Sequence, residues 1–505
     1  MKNIIKNNYF IVLVIIFSGL LLSTNLNKPF IGHHDWNGAF WGEETKRYLT
    51  KAGLGESEYL RSLHLSPKSL YFPDYTPLLP ITFSLISVFF GLSESTLRLV
   101  PTIFSLLMLF FIYKIGELLF ERKVGLFASI FAALTPMFLY FGKLPDHEPI
   151  VTSLITISFY FYLKSFENKS KYGKFFLVFF ILSLLESWPA FFIIPFLTLH
   201  SIYLKKEKIA KVFLPWLFSI FVICAHLGSI FLIFGINGLT QFVKQGNSRM
   251  NSPADLIGGF SNYSPYTFLT TEAHYAVIYF TRILIILSLL WLITVIFKIF
   301  RKKINSSEIS LLILFAYPLS FILVFRQLAF IHDYKLYHFL PFISLSSASV
   351  VSKGFKSYKN LRKKTNIFSW TQITIITFLL IAITVFFERY EYLNTLLKTS
   401  FNTPGYDLGL LIKKKTSPQE DVLVNSMQFK GFFGVFVNYY SDRQVDYEDI
   451  TLENFSARTT QYQKYKYLIS IEGRDTDSNF IKYLENNYPS DKFGEYRFFN
   501  INSRM

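Results

Sequence analysis

Four short polar clusters carry residue types able to do chemistry: His33-His34-Asp35-Trp36, Pro145-Asp146-His147-Glu148, Glu186-Ser187-Trp188-Pro189 and His332-Asp333-Tyr334-Lys335. Each adjoins an apolar run, where ionisable groups are costly to keep and mark functional sites. Asp35 is a candidate general base, since a partly dehydrated carboxylate can take a proton from a hydroxyl. It equally suits a divalent cation or a helix cap, and a lone Asp after a span is ordinarily a solvated loop residue. Asp146, His147 and Glu148 form a second acidic group that can position an acceptor, orient a base or bind a metal. Helix capping competes with function there, and falls on Glu148 more than on Asp146. Glu44 lies in residues 39–49, which pattern as an amphipathic helix on the membrane, and is a supporting acid.

A cationic set, Lys244, Arg249, Arg326, His332, Lys335 and His338, falls in or beside the same loops. Lys and Arg clamps are the ordinary means of holding phosphate, and a lipid phosphate suits a membrane boundary. The neighbouring Tyr334, Tyr337 and Phe339 leave an interfacial aromatic belt as the other reading. No Gly-x-Ser-x-Gly elbow and no phosphate loop occur. Nucleotide-driven transport therefore lacks support. His33-His34 with Asp35 offers metal ligands, but adjacent histidines rarely bind one ion together, so metal binding there is the minor reading. A divalent cation stays open and no cofactor is required.

The elements that position these groups are membrane helices. The 505 residues are 51% hydrophobic and 19% aromatic, with long apolar runs in place of polar linkers. A helix needs about 20 apolar residues to cross ~30 Å of hydrocarbon. The net charge of +17 gathers in the short loops 121–123, 169–174, 205–208, 301–303 and 353–364. Those loops alternate with the apolar runs as the positive-inside rule requires, so the charge sets topology and implies no nucleic acid. Cys224 lies in an apolar run and, alone, forms no intrachain disulfide.

All basic loops lie in the cytoplasm if 77–90, a fourteen-residue apolar stretch, is juxtamembrane rather than spanning. Spans then fall at about 9–22, 96–119, 124–142, 149–165, 175–187, 189–204, 211–234, 276–298, 309–325, 336–352 and 367–387. The expected fold is an all-α polytopic membrane domain of about eleven helices over 1–387, with juxtamembrane helices in the first external loop, 27–95. A small α/β extracytoplasmic domain follows over 388–505, with strands at 421–425, 465–471 and 496–501 and helices at 406–414 and 478–486. The four polar clusters then share the external face, and Asp35, Asp146 and one or more of the cations are expected to converge on one cavity. No internal repeat of the transporter kind is evident.

Tyr71-Phe-Pro-Asp-Tyr-Thr-Pro-Leu-Leu-Pro80, Phe90-Gly-Leu-Ser-Glu-Ser-Thr-Leu-Arg-Leu-Val-Pro101 and Leu134-Thr-Pro-Met-Phe-Leu-Tyr-Phe-Gly-Lys-Leu-Pro-Asp146 follow an external Asp after the first helix. This order resembles the protein O-mannosyltransferase and aminoarabinose transferase superfamily, integral membrane glycosyltransferases of the GT-C class, family 39 and its bacterial relatives. The resemblance covers roughly residues 1–200, and 332–341 is similar to a later segment of the bacterial members. It implies that Asp35 is the catalytic aspartate, that Asp146 is the second acidic position, and that Lys244 or Arg249 holds lipid phosphate. Trp36 stands where the family often has Glu, and Thr76 where it often has His or Lys.

The implied reaction moves one sugar from a polyprenyl-phosphate donor to an envelope acceptor (lipid, glycan or protein) outside the cell membrane, with inversion. A flippase or transporter for isoprenoid-linked glycans would place ionisable groups at mid-membrane depth. An envelope ligase or polymerase would share the external site, and a non-catalytic scaffold would tolerate loss of Asp35. The threading predicts that reporter fusions after Lys123 and after Asn425 report cytoplasm and exterior respectively. The same side for both overturns it.

Overall fold

The computed structural model describes residues 2–54, 74–166, 170–204, 209–250, 264–361, 370–474 and 477–503. Tyr71, Phe72 and Pro73 of the juxtamembrane motif lie outside them, as do Lys169, the basic loop 205–208 and residues 362–364. The chain forms two compact units, one of residues 1–26, 72–79 and 98–397, the other of 27–71, 80–97 and 398–505.

The first unit is helical. Among the described residues, Glu94–Leu119, Phe213–Met250, Arg282–Phe300 and Ser306–Val324 are long and apolar enough to cross a membrane, and Tyr9–Leu22, Leu78–Phe90 and Trp188–Leu204 are shorter apolar helices. This is a membrane protein. Glu94–Leu119 and Arg122–Leu134 approach closely because Gly116 and Gly125 face each other: a Cβ on Gly125 would overlap the Tyr113 carbonyl oxygen. Small residues permit such backbone contact where apolar side chains gain little by leaving lipid. The helix His147–Ser165 is buried along nearly its whole length and packs on Ser170–Glu186.

Several helices stop where uniform apolar composition predicts that they run on. The expected helix 124–142 breaks at Thr135, whose extended backbone (ψ 144°) suits the residue before Pro136. A π-helical turn, Met137–Phe141, follows. The expected span 276–298 is two helices, Pro265–Phe280 and Arg282–Phe300, joined through Thr281 at φ 71°. The helix beginning at Ile209 continues to Met250 across a kink at Gly235, whose φ of 68° glycine adopts without strain. Ser306–Val324 ends at Phe325, as the expected span 309–325 does, and a short helix, Arg326–Ile331, and a 3₁₀ turn, Asp333–Phe339, precede Leu340–Leu361, the next span, expected from 336. At the far end of these helices, Glu308 caps its own helix through Asn305 and accepts Lys298 at 2.5 Å and Lys353 at 3.4 Å.

The second unit is built on a five-stranded sheet of order β2-β1-β3-β5-β4, with β1 Asp421–Val424, β2 Val445–Tyr447, β3 Tyr465–Ile471, β4 Ser490–Phe493 and β5 Tyr496–Asn500. β1 pairs in parallel with β2 and β3, while β5 is antiparallel to β3 and β4. Alternation along β1 sends Val422 and Val424 to one apolar layer, with Leu408, Ile412 and Phe429, and Leu423 to the other, with Phe455, Phe480 and Leu484. The helices Thr403–Lys415 and Ser478–Asn487 fall where expected. The helix Met427–Ser441 and the strands β2 and β4 are additional. The crevice at the carboxyl ends of β1 and β3 is a topological switch point, where α/β sheets bind ligands. Past the ends of β1 and β2, Met427 N donates to Asp449 Oδ1 at 2.8 Å, and Ile450 N to Asn425 Oδ1 at 2.8 Å.

The helix Asp35–Lys51 belongs to this unit and packs on Met427–Ser441. Part of its surface is covered by that helix. Gly42 admits the Tyr439 ring, Lys46 donates to the Tyr439 carbonyl and sits 4.5 Å over its ring, and Phe30 N donates to Tyr440 Oη at 2.7 Å. Replacing Gly125 by Ala is expected to cost about 1–3 kcal/mol of stability through backbone overlap. It would be read as a lower unfolding temperature in detergent, with Gly173→Ala, whose added Cβ meets nothing, as control.

Candidate functional site

The interruptions of the first unit gather its buried ionisable groups. Asp146 ends the irregular stretch after the π turn and caps His147–Ser165, its Oδ1 accepting from His147 N at 2.8 Å. Capping thus falls to Asp146, which sits one residue before the helix, whereas Glu148 is in the first turn with its side chain turned into the bundle. Burial, reinforced by Glu148 and opposed by Lys335, pushes the Asp146 carboxyl up to about 7. Glu148 forms an ion pair with Lys335 of the 3₁₀ turn, both side chains nearly inaccessible to water. Its second oxygen has no hydrogen-bond partner among the described residues. His338, on the same turn, accepts or donates at 2.6 Å with Thr152.

His147 reaches the other way, to Glu186 at the end of its own helix, with Nδ1 2.9 Å from the carboxylate and both groups buried. The His147 ring stacks on Tyr75, with centroids 4.3 Å apart, and the Arg249 guanidinium lies over the same tyrosine at 5.5 Å. Arg249, at the end of the kinked helix, donates from Nη2 to Asp74 Oδ2 at 2.6 Å. Burial raises the Asp74 carboxyl pKa against the pull of Arg249. The segment carrying Asp74 and Tyr75 is held at two points: Trp188 Nε1 donates to the Asp74 carbonyl at 2.7 Å, and the Thr76 hydroxyl to the Leu185 carbonyl.

These residues border a small open cleft lined by Tyr75, Ser187, Trp188, Pro189, Arg249 and Lys335, with Phe321, Phe325 and Leu328 closing its apolar side. The partly exposed Arg249 and the buried Lys335, beside an aromatic and aliphatic wall, suit an anion carried on an apolar body. Of the sequence-predicted residues, Asp146, His147, Glu148, Arg249 and Lys335 come together here. Lys244 and Arg326 are exposed, and His332 is half-buried with its ring 5.2 Å from that of Tyr334. His338, of the cationic set, joins the residues that come together, and Asp74, Tyr75 and Glu186 complete the site; these three stand in motifs already noted, without a signal of what they pair with.

Asp35 and Glu44 belong to the second unit. Asp35 is buried at the start of its helix, after His34 in the left-handed conformation (φ 56°), and its Oδ2 accepts from Gly32 N at 2.7 Å. Burial pushes Glu44 up to about 7, opposed by Arg47 at 3.6 Å.

Residues 74–231 match the family model described as dolichyl-phosphate-mannose-protein mannosyltransferase. No curated protein matches the chain. Among solved structures, the oligosaccharyltransferase AglB from Archaeoglobus fulgidus, in complex with an inhibitory peptide and a dolichol-phosphate, is similar at TM-score 0.58 and 15% identity, covering 98% of this chain and 74% of that one. ArnT from Cupriavidus metallidurans in the apo state matches at TM-score 0.58 and 11% identity, covering 98% and 99%. The same protein bound to undecaprenyl phosphate matches at 0.57 and 10%, covering 97% and 98%. The fold is that of the GT-C class, as the sequence motifs led one to expect.

Removing one partner of a dry ion pair strands the other at a cost of about 3–5 kcal/mol, while an uncharged pair can be nearly neutral. Lys335→Met is therefore expected to destabilise the protein by that amount, and Lys335→Met with Glu148→Gln to recover most of it. Denaturation in detergent reads both; equal loss in the single and double variants refutes the pairing.

Proposed function

We propose, with the GT-C fold and the mannosyltransferase-family match as premise, that the chain transfers a sugar from a polyprenyl-phosphate donor to an envelope acceptor on the extracytoplasmic face of the cell membrane. The observation that carries this reading is the cleft where Arg249 and Lys335 adjoin Tyr75, Trp188, Phe321 and Phe325. Guanidinium and ammonium groups hold phosphate, and the apolar wall suits the first isoprene units. In this scheme 1–387 is the transmembrane transferase domain with eleven spans, and 388–505 the extracytoplasmic domain. Lys244, Arg326 and His332 are outer contacts for the lipid phosphate.

Asp35 acts as general base in the proposed reaction. It takes the proton of the acceptor hydroxyl as that oxygen attacks the anomeric carbon. The bond from that carbon to the phosphate oxygen breaks, and polyprenyl phosphate leaves with the electron pair. In-line displacement inverts the anomeric centre through an oxocarbenium-like transition state. Arg249 and Lys335 stabilise charge on the departing phosphate. Asp146 and His147, supported by Glu148 and Glu44, orient the acceptor. Lipid phosphate is the leaving group, so no nucleotide enters.

Mass spectrometry of envelope lipids, glycans and proteins from a deletion strain should show loss of one sugar against the parent. Complementation with Asp35→Asn should fail, with turnover down about 10²–10⁴-fold and the folded protein still binding donor lipid. Turnover within a few-fold of the parent removes Asp35 from the base role. An unchanged sugar inventory in the deletion strain refutes the transferase reading itself.

A further inference from the structure

The cleft is electrically balanced before any ligand enters it. Lys335 is matched by Glu148, and Arg249 by Asp74. The two pairs differ in kind. Lys335 and Glu148 are sealed at 5% and 1% side-chain exposure, whereas Arg249 keeps 21% exposure beside an Asp74 at 4%. Among the described residues Arg249 gives Asp74 one hydrogen bond, from Nη2 alone. A guanidinium has five N–H donors in a planar fork and binds phosphate or carboxylate best through two parallel bonds. The Asp74 contact therefore uses a small part of what Arg249 offers, at the cleft wall where a phosphate would lie. The Asp74 carbonyl accepts from Trp188 and the Thr76 hydroxyl donates to the Leu185 carbonyl, so 74–76 is held by bonds that do not use the Asp74 carboxylate, which can turn away without breaking them.

We propose that Asp74 is a resident stand-in for the lipid phosphate: its carboxylate occupies Arg249 in the empty site, the phosphate displaces it, and it recaptures Arg249 when the product leaves. This rests on the reading of the cleft as the lipid-phosphate site. The exchange breaks no covalent bond and swaps one anion for another on the same cation. It keeps Arg249 from standing unpaired in a desolvated wall, which is strongly unfavourable. It also weakens the hold on polyprenyl phosphate, which as a free monoester carries more negative charge than the donor's diester and would otherwise be slow to leave.

Binding of a polyprenyl phosphate to the full-length protein in detergent tests the exchange. Asp74→Asn, which keeps shape and loses charge, is expected to bind about tenfold tighter, equivalent to ~1.4 kcal/mol. Asp74→Glu is expected to stay within about twofold of the parent. Arg249→Gln is expected to bind about tenfold weaker. Weaker binding by Asp74→Asn with unchanged Asp74→Glu makes Asp74 a scaffold for the site and overturns the exchange. So does unchanged affinity in Asp74→Asn while Arg249→Gln is weakened. Unchanged affinity in Arg249→Gln overturns instead the reading of the cleft on which the exchange stands. Inorganic phosphate should not compete at the same concentrations. If it does, the displacing anion is a free phosphate and the donor role fails.

Discussion

Charge in a dry helical bundle must be matched locally, and the first unit is organised around that requirement. Glu148 with Lys335, Glu186 with His147 and Asp74 with Arg249 are three acid–base pairs within one region of the unit. Each member is a liability alone, because desolvating an ion costs several kcal/mol. Together they join five separate stretches of chain: 74–76, 146–148, the end of the helix at Glu186, the end at Arg249, and the turn at 333–339. The aromatic ring of Tyr75 ties two of the pairs by lying between His147 and Arg249.

Such pairing explains where the helices fail to continue. An unbroken helix presents side chains radially and cannot bring a group from its own end across the bundle. The extended residue at Thr135, the π turn before Gly142 and the 3₁₀ turn carrying Lys335 turn the chain inward at the site. Irregular backbone at membrane depth is tolerated where protein buries it. Thr135 illustrates this, since its hydroxyl accepts from Phe138 N at 3.2 Å and donates to the Ala132 carbonyl at 2.8 Å.

The apolar runs were legible because hydrophobic length is a composition signal, and so were β1, β3 and β5, short runs rich in β-branched and aromatic residues. The break at Thr281 was silent, since only Thr281 and Arg282 interrupt the apolar run there, whereas the end at Phe325, before Arg326, was expected. Lys335 and Arg249 could be singled out as cations against the topological bias. Their partners could not, because Glu148 and Lys335 lie 187 positions apart and Asp74 and Arg249 lie 175 apart. The helix Met427–Ser441 escaped notice because Gly431 and Gly434 interrupt its apolar spacing. The close packing of Asp35–Lys51 on that helix, through Gly42, has no local signature.

The contact between Asp35–Lys51 and Met427–Ser441 also places a clock in the life of the chain. The earlier helix leaves the ribosome 376 residues before the later one begins, from Lys51 to Met427. At ~5–20 residues per second, that is a wait of about 20–75 s. Throughout it Lys46 and the surface at Gly42, which meet Tyr439 in the finished protein, stand without it. A charged side chain and a glycine suit that interval: a water-compatible face can stand uncovered during synthesis without inviting association, which a leucine-rich face of the same area would not.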